Sequence, residues 1–144
     1  MIITVCLLLA GIAVQAADAL PLGRWEIAQV TYEKITDGNL QTTVYNTIAD
    51  AKDYIRFPQA LEVKDAQTVM LRYFDMEEEF TAEYTLKGDL LEITQGPMGL
   101  SYLYSASAGS LILATQPFTF VTKLSTGDKE SITEKWTFTL KNQE

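Results

Sequence analysis

Gly23-Arg24-Trp25-Glu26-Ile27-Ala28-Gln29-Val30-Thr31-Tyr32-Glu33-Lys34 is the stretch whose reading decides the fold. Its apolar residues recur at every second position, which is the period of a strand with one buried face and not the 3.6 of a helix. Trp25 and Ile27 keep one phase while Val30 and Tyr32 keep the other, so the buried face changes sides near Ala28-Gln29. A β-bulge or sharp bend is expected there, because one extra residue restores the phase and bends the strand as small barrels require at their corners.

The same period runs outward along the chain. Phe80, Ala82, Tyr84 and Leu86 alternate with Glu79, Thr81, Glu83 and Thr85, and Trp136, Phe138 and Leu140 alternate with Lys135, Thr137, Thr139 and Lys141. Each run has one buried and one wet face. Asp37-Gly38-Asn39 separates the first strand from Leu40–Thr47, and Lys87-Gly88-Asp89 joins Phe80–Leu86 to Leu90–Thr94; both are short hairpin loops. Gly96-Pro97-Met98-Gly99, Ala108-Gly109 and Thr126-Gly127-Asp128 mark three more turns. Ile48–Tyr54 lacks alternation and is read as a helical turn, the alternative being an irregular crossing, and Leu61–Val63 as a short strand beyond Pro58. The expected fold class is all-β, an antiparallel up-and-down β-barrel of about eight to ten strands with at most one short helix.

The chain has 144 residues, enough for one domain with a modest core. Nineteen acidic against 11 basic residues give a net charge of -8, which repels phosphate backbones and anionic lipid headgroups and excludes nucleic acid as a partner. Residues 1–16 carry no charge, and Val5–Val14 form an apolar run that ends in the small-residue pattern Val14-Gln15-Ala16. This reads as a signal peptide over 1–16, followed by a single barrel domain over 17–144 exported to the periplasm or secreted. The run is shorter than the ~20 residues that span a bilayer, so no stable membrane insertion is expected after cleavage, and an uncleaved leader would act only as a tether. The one cysteine, Cys6, lies in this leader, which leaves the exported part to be held by packing without a disulfide.

Catalytic chemistry finds little to use. With no histidine, Ser-His-Asp and Cys-His machinery and zinc sites of His and Cys cannot form. Asp75, Glu77, Glu78 and Glu79 are dense enough for a hard cation or a carboxylate acid–base pair, but no Asp-x-Asp-x-Gly loop organises them, and they read as a solvated acidic loop. Ser101, Ser105, Ser107 and Ser110 lie near Tyr102 and Tyr104 with no base to activate them. No enzymatic activity, metal or cofactor is expected.

Gly23-Arg24-Trp25 at the first strand, the hairpin from Tyr84 to Ile93, Ser110-Leu111-Ile112-Leu113 after a glycine, and a terminal strand around Trp136 together resemble short bacterial lipocalin-like proteins of the calycin type. The resemblance implies that Gly23 and Trp25 plug the closed end of the barrel, with a basic side chain near the last strand packed over the indole; Lys135 and Lys141 are the residues available for that place. It also implies a small apolar or amphipathic ligand in the barrel, which tyrosine hydroxyls and a rim charge such as Arg56 or Arg72 would orient. Tyr84, Tyr102, Tyr104, Phe118, Phe120 and Phe138 are the candidate lining, placed at the end away from Trp25. At about eight strands the interior is just wide enough either for a cavity or for its own side chains. A filled interior would make the barrel a scaffold that docks another exported protein.

Overall fold

The computed structural model describes residues 19–47, 58–73 and 76–143. Ten strands run β1 (Gly23–Thr36), β2 (Asn39–Tyr45), β3 (Ala60–Val63), β4 (Thr68–Arg72), β5 (Glu79–Lys87), β6 (Leu90–Gln95), β7 (Met98–Ser107), β8 (Ser110–Ala114), β9 (Phe118–Lys123) and β10 (Lys129–Asn142). There is no helix among the described residues, and the helical turn expected at Ile48–Tyr54 falls outside them. All neighbouring strands are antiparallel in the order β2-β1-β3-β4-β5-β6-β7-β8-β10-β9, and β1 also pairs with β10. That last pairing closes eight strands into a lipocalin-like up-and-down barrel and leaves β2 and β9 outside the ring.

The two extra strands follow from one geometric fact. β1 and β10 are each 14 residues long, and neither a single β3 nor a single β8 can cover them. Gly23–Glu26 of β1 pairs with β3 while Val30–Thr36 pairs with β2, and Thr137–Lys141 of β10 pairs with β8 while Lys129–Glu134 pairs with β9. β2 and β3 both run antiparallel along the same side of β1, one beyond the other, and β8 and β9 do the same along β10, separated by residues 115–117. Pro117 lacks the N–H that an unbroken ladder would need there. The upper halves of these strands leave the barrel as a four-stranded wing, β2-β1-β10-β9, which extends about 20 Å beyond the mouth at ~3.3 Å per residue.

The bulge expected from the change of phase is present. Ile27 pairs with Leu140 and Gln29 with Thr139, consecutive residues of β10, so Ala28 has no opposite number. The extra residue lets Trp25 and Val30 both face inward despite their odd spacing, with 5 % and 0 % of their surfaces exposed. Hairpin chemistry is equally direct at the first turn. Asp37 and Gly38 both have positive φ, 49° and 82°, the backbone of a two-residue turn whose twist matches that of the strands it joins.

The inward phase of each barrel strand supplies the core: Trp25 and Val30 from β1, Leu61 and Val63 from β3, Val69 and Leu71 from β4, Tyr84 and Leu86 from β5, Leu91 and Ile93 from β6, Tyr102 from β7, Leu111 and Leu113 from β8, and Phe138 and Leu140 from β10. These are the alternations legible in β5 and β10, and the opposite phase of β5 is exposed throughout.

Candidate functional site

The two ends of the barrel differ in chemistry. At the end where the chain enters, Leu20 is 3 % exposed within the core and the indole N–H of Trp25 donates to the Pro21 carbonyl at 3.1 Å. The segment before β1 thus folds under the barrel and covers the tryptophan that opens it. Neither lysine suggested for this place is there. Lys141 is out of phase with buried Leu140, and its amine donates to the Ser110 hydroxyl; Lys135 stands opposite Glu33, on the outer face of the wing. The closure is made by Leu20 and Pro21 because β1 and β10 are adjacent at this end and the incoming chain reaches the opening first.

Tyr84 belongs to the same closed end. Its hydroxyl accepts from the Leu20 N–H at 3.2 Å and donates to the Asp65 carbonyl at 2.9 Å, tying the incoming chain to the β3–β4 turn. Asp65 caps that turn: its carboxylate accepts from the N–H groups of Gln67 and Thr68 at 2.8 and 2.7 Å, and the Gln67 bond above all holds its pKa below the ordinary value. Tyr104 is half-buried nearby, and its own N–H donates to Asp89 in the β5–β6 turn. Burial pushes the phenols of Tyr84 and Tyr104 up. In place of the open end expected for both, Tyr84 and Tyr104 lie with Trp25, because β5 and β7 descend toward the closed end.

Higher in the barrel, Tyr102 is 5 % exposed and meets Phe138 edge to face, with ring centroids 6.4 Å apart. Burial raises the Tyr102 pKa strongly. Tyr73, just past the upper end of β4, donates to the side-chain amide oxygen of Gln95 at 3.4 Å. Of the six candidate lining residues, these contacts bring together only Tyr102 and Phe138 within the barrel proper.

Above this layer the inward phase continues along the wing. The register places Tyr45, Val30 and Phe138 in one row, Thr43, Tyr32 and Trp136 in the next, then Gln41, Lys34, Glu134 and Phe118, then Asn39, Thr36, Ile132 and Phe120. Tyr32 and Trp136 lie 4.4 Å apart between centroids at 31°, and Phe118 and Phe120 stack at 5.9 Å. The Tyr32 hydroxyl donates to Glu134 at 2.6 Å; burial, with this bond to a carboxylate, pushes its pKa up to about 12. Phe118 is 65 % exposed. Phe118 and Phe120 are therefore residues of the wing and not of the barrel lining. Tyr32 and Tyr45 also carry the inward phase; for Tyr32 the signal in the sequence is its even spacing from Val30 beyond the bulge, whereas Tyr45 is placed by its pairing with Val30.

The outer wall carries charge, not ligand groups. Glu26 accepts from Arg24 and from Arg72, each at 3.2 Å, and Arg24 also reaches Glu79 at 3.4 Å. Arg72 thus faces outward as a strut between strands instead of serving as a rim charge, and Arg56 lies outside the described residues. Glu79 is likewise drawn from the acidic run into this network. Among the described residues no cluster of acidic, Cys or His side chains is arranged to hold a metal, and Asp75 is outside them. A depression of about 300 Å³ lies by the β3–β4 turn, lined by Gln67, Glu83, Tyr84, Thr85 and Thr94, and every one of these except Tyr84 is exposed. No family model matches this chain, and no curated protein or solved structure matches it either.

Proposed function

We propose that this barrel is a non-enzymatic binding protein that takes a small apolar or amphipathic ligand at its open end, against the inner face of the wing. The observation that carries the reading is the continuation of the inward phase beyond the closed core as Tyr32, Trp136, Phe118 and Phe120, an aromatic wall left partly open to solvent. Below that wall Leu71, Leu91, Leu111, Leu113 and Leu140 have no exposed surface, which favours a shallow seat over a deep one. Burial of ligand surface against the wall supplies about 25 cal/mol per Å² before ordering costs. The apolar leader at 1–16 supports export as the setting.

Titration with a fluorescent fatty acid tests the reading. Saturable binding that weakens in Trp136→Ala and Phe118→Ala, with the fold retained by circular dichroism, is the expected result; absence of saturable binding overturns it.

A second reading, an accessory protein docking another exported protein, draws on β9. Phe118 and Val121 are 65 % and 64 % exposed on opposite faces of this edge strand. A fatty-acid probe that does not bind, together with retention of a specific exported protein that Val121→Lys abolishes, would favour it.

A further inference from the structure

We infer that the free edge of β2 is a self-association surface, on which a second copy of this chain pairs antiparallel to extend the wing into a continuous sheet. Edge strands offer unpaired main-chain groups and are ordinarily guarded by charge, proline or a bulge. The other edge of this wing is guarded: β9 is preceded by Pro117 and ends at Lys123. β2, Asn-Leu-Gln-Thr-Thr-Val-Tyr, has no charged residue and no proline, and it pairs with β1 through seven consecutive residues without a shift in register. Every residue from Asn39 to Val44 is exposed, and among the described residues no strand or loop covers the edge.

The occupant follows from the symmetry of the strand. In the two-residue hairpin Thr36 and Asn39 form the closing pair, so Asn39, Gln41, Thr43 and Tyr45 direct their main-chain groups to β1 while Leu40, Thr42 and Val44 direct theirs outward. A two-fold axis perpendicular to the sheet at Thr42 sets Thr42 opposite the Thr42 of a second copy and Leu40 opposite its Val44. All three outward residues then satisfy both N–H and C=O, in an isologous contact that uses the same patch twice. The side chains agree with the main chain. Leu40, Val44 and Ile35 share one face and are 60 %, 49 % and 40 % exposed, and Ile35 is the direct neighbour of Leu40 on β1. In this register each Leu40 gains a valine across the axis, and threonine meets threonine, a favourable cross-strand pair. The outward residues Leu40, Thr42 and Val44 are thus self-complementary about Thr42.

Charge sets the sign of the salt dependence. Two copies that each carry -8 repel at long range but meet through an uncharged strand, so added salt should strengthen association; a basic partner would show the opposite.

Sedimentation velocity of the purified chain over a range of concentrations and salt tests this directly. The expected result is a monomer–dimer equilibrium that tightens with salt and weakens at least tenfold in Thr42→Lys, which places two like charges on the axis. Thr42→Pro should act in the same way without disturbing the fold, since the N–H it removes points away from β1. Thr119→Lys on the opposite edge should leave the dimer intact, and circular dichroism checks that each variant folds. Oxidised Thr42→Cys should give a cross-linked dimer where Thr119→Cys does not, as antiparallel partners at a hydrogen-bonded pair lie within disulfide reach. A chain that stays monomeric at the highest concentration and salt, or a dimer disrupted by Thr119→Lys and not by the Thr42 variants, overturns the inference.

Discussion

Tyr32 and Trp136 face each other across the seam between β1 and β10, ring centroids 4.4 Å apart, at the level where the closed wall becomes the wing. This pair joins the filled core to the open aromatic face, and the Tyr32 hydroxyl fixes it by its bond to Glu134.

Tyr32→Phe keeps the ring and removes that bond. A loss of about 1.5 kcal/mol is expected, the low end for a hydrogen bond to a charged acceptor because this one is only partly buried. It should appear as a lower urea midpoint with an unchanged slope, and an unchanged midpoint would show that water replaces the hydroxyl without loss.

The same phenol makes stability fall with alkali. An unfolded tyrosine ionises near its ordinary value of 10.0, whereas folded Tyr32 holds its proton to about 12, so between these values the unfolded chain binds fewer protons. Stability is therefore complete below pH 10 and is lost as pH rises through that window. Equilibrium unfolding across it should give a shallower decline for Tyr32→Phe than for the parent. Equal slopes would refute the assignment.

Tyr84→Phe separates the closed end from the open one. It leaves the Leu20 N–H and the Asp65 carbonyl without their common partner, and a loss of about 1–2 kcal/mol is expected, or roughly 5 °C in thermal midpoint. Affinity for a fatty-acid probe should not change, because the hydroxyl already serves the plug. A variant of normal stability and weakened probe binding would move the ligand site to the closed end.

Deletion of Ala28 should leave the fold intact. Ala28 is the residue without an opposite number on β10, so its removal makes the spacing from Trp25 to Val30 even and keeps Trp25, Ile27, Val30 and Tyr32 on the inward phase and in register, at the cost of the local bend alone. The near-ultraviolet dichroism of the packed aromatics reports the outcome; loss of the native spectrum would show that the bend itself is required to close the barrel.

Glu26→Gln weakens both arginine contacts on the outer wall. The side chains concerned are about a third exposed, so the loss should stay below about 1 kcal/mol and shrink further in salt. A loss of several kcal/mol would show that Glu26 holds β1 to β4 more tightly than surface pairs do.

Local pattern was enough to read the all-β class, the bulge at Ala28 and the alternation of β5 and β10, since each depends on a few adjacent side chains and their period. The wing was not readable in this way. It exists because β1 and β10 each pair with two partners on one side, and no property of Asn39–Tyr45 or Phe118–Lys123 alone shows that those strands sit above the barrel. The same gap explains the tyrosines. Periodicity correctly turns Tyr84 inward, but whether it lies near the plug or the mouth depends on the direction of β5, which is set by the long-range pairing of β1 with both β2 and β3. Phe118 and Phe120 differ from the expected barrel lining for a related reason: their phase is right and their height is not.

The unbroken course of β1 and β10 also has a mechanical meaning. Trp25 stands opposite Asn142, so both ends of the described chain leave the barrel side by side at the plug, on strands that run in opposite directions. A force applied to the two ends would load the seam one hydrogen bond at a time, in the manner of a zip and not of a lap joint. The barrel should yield first at the plug, with the wing the last part of the seam to come apart.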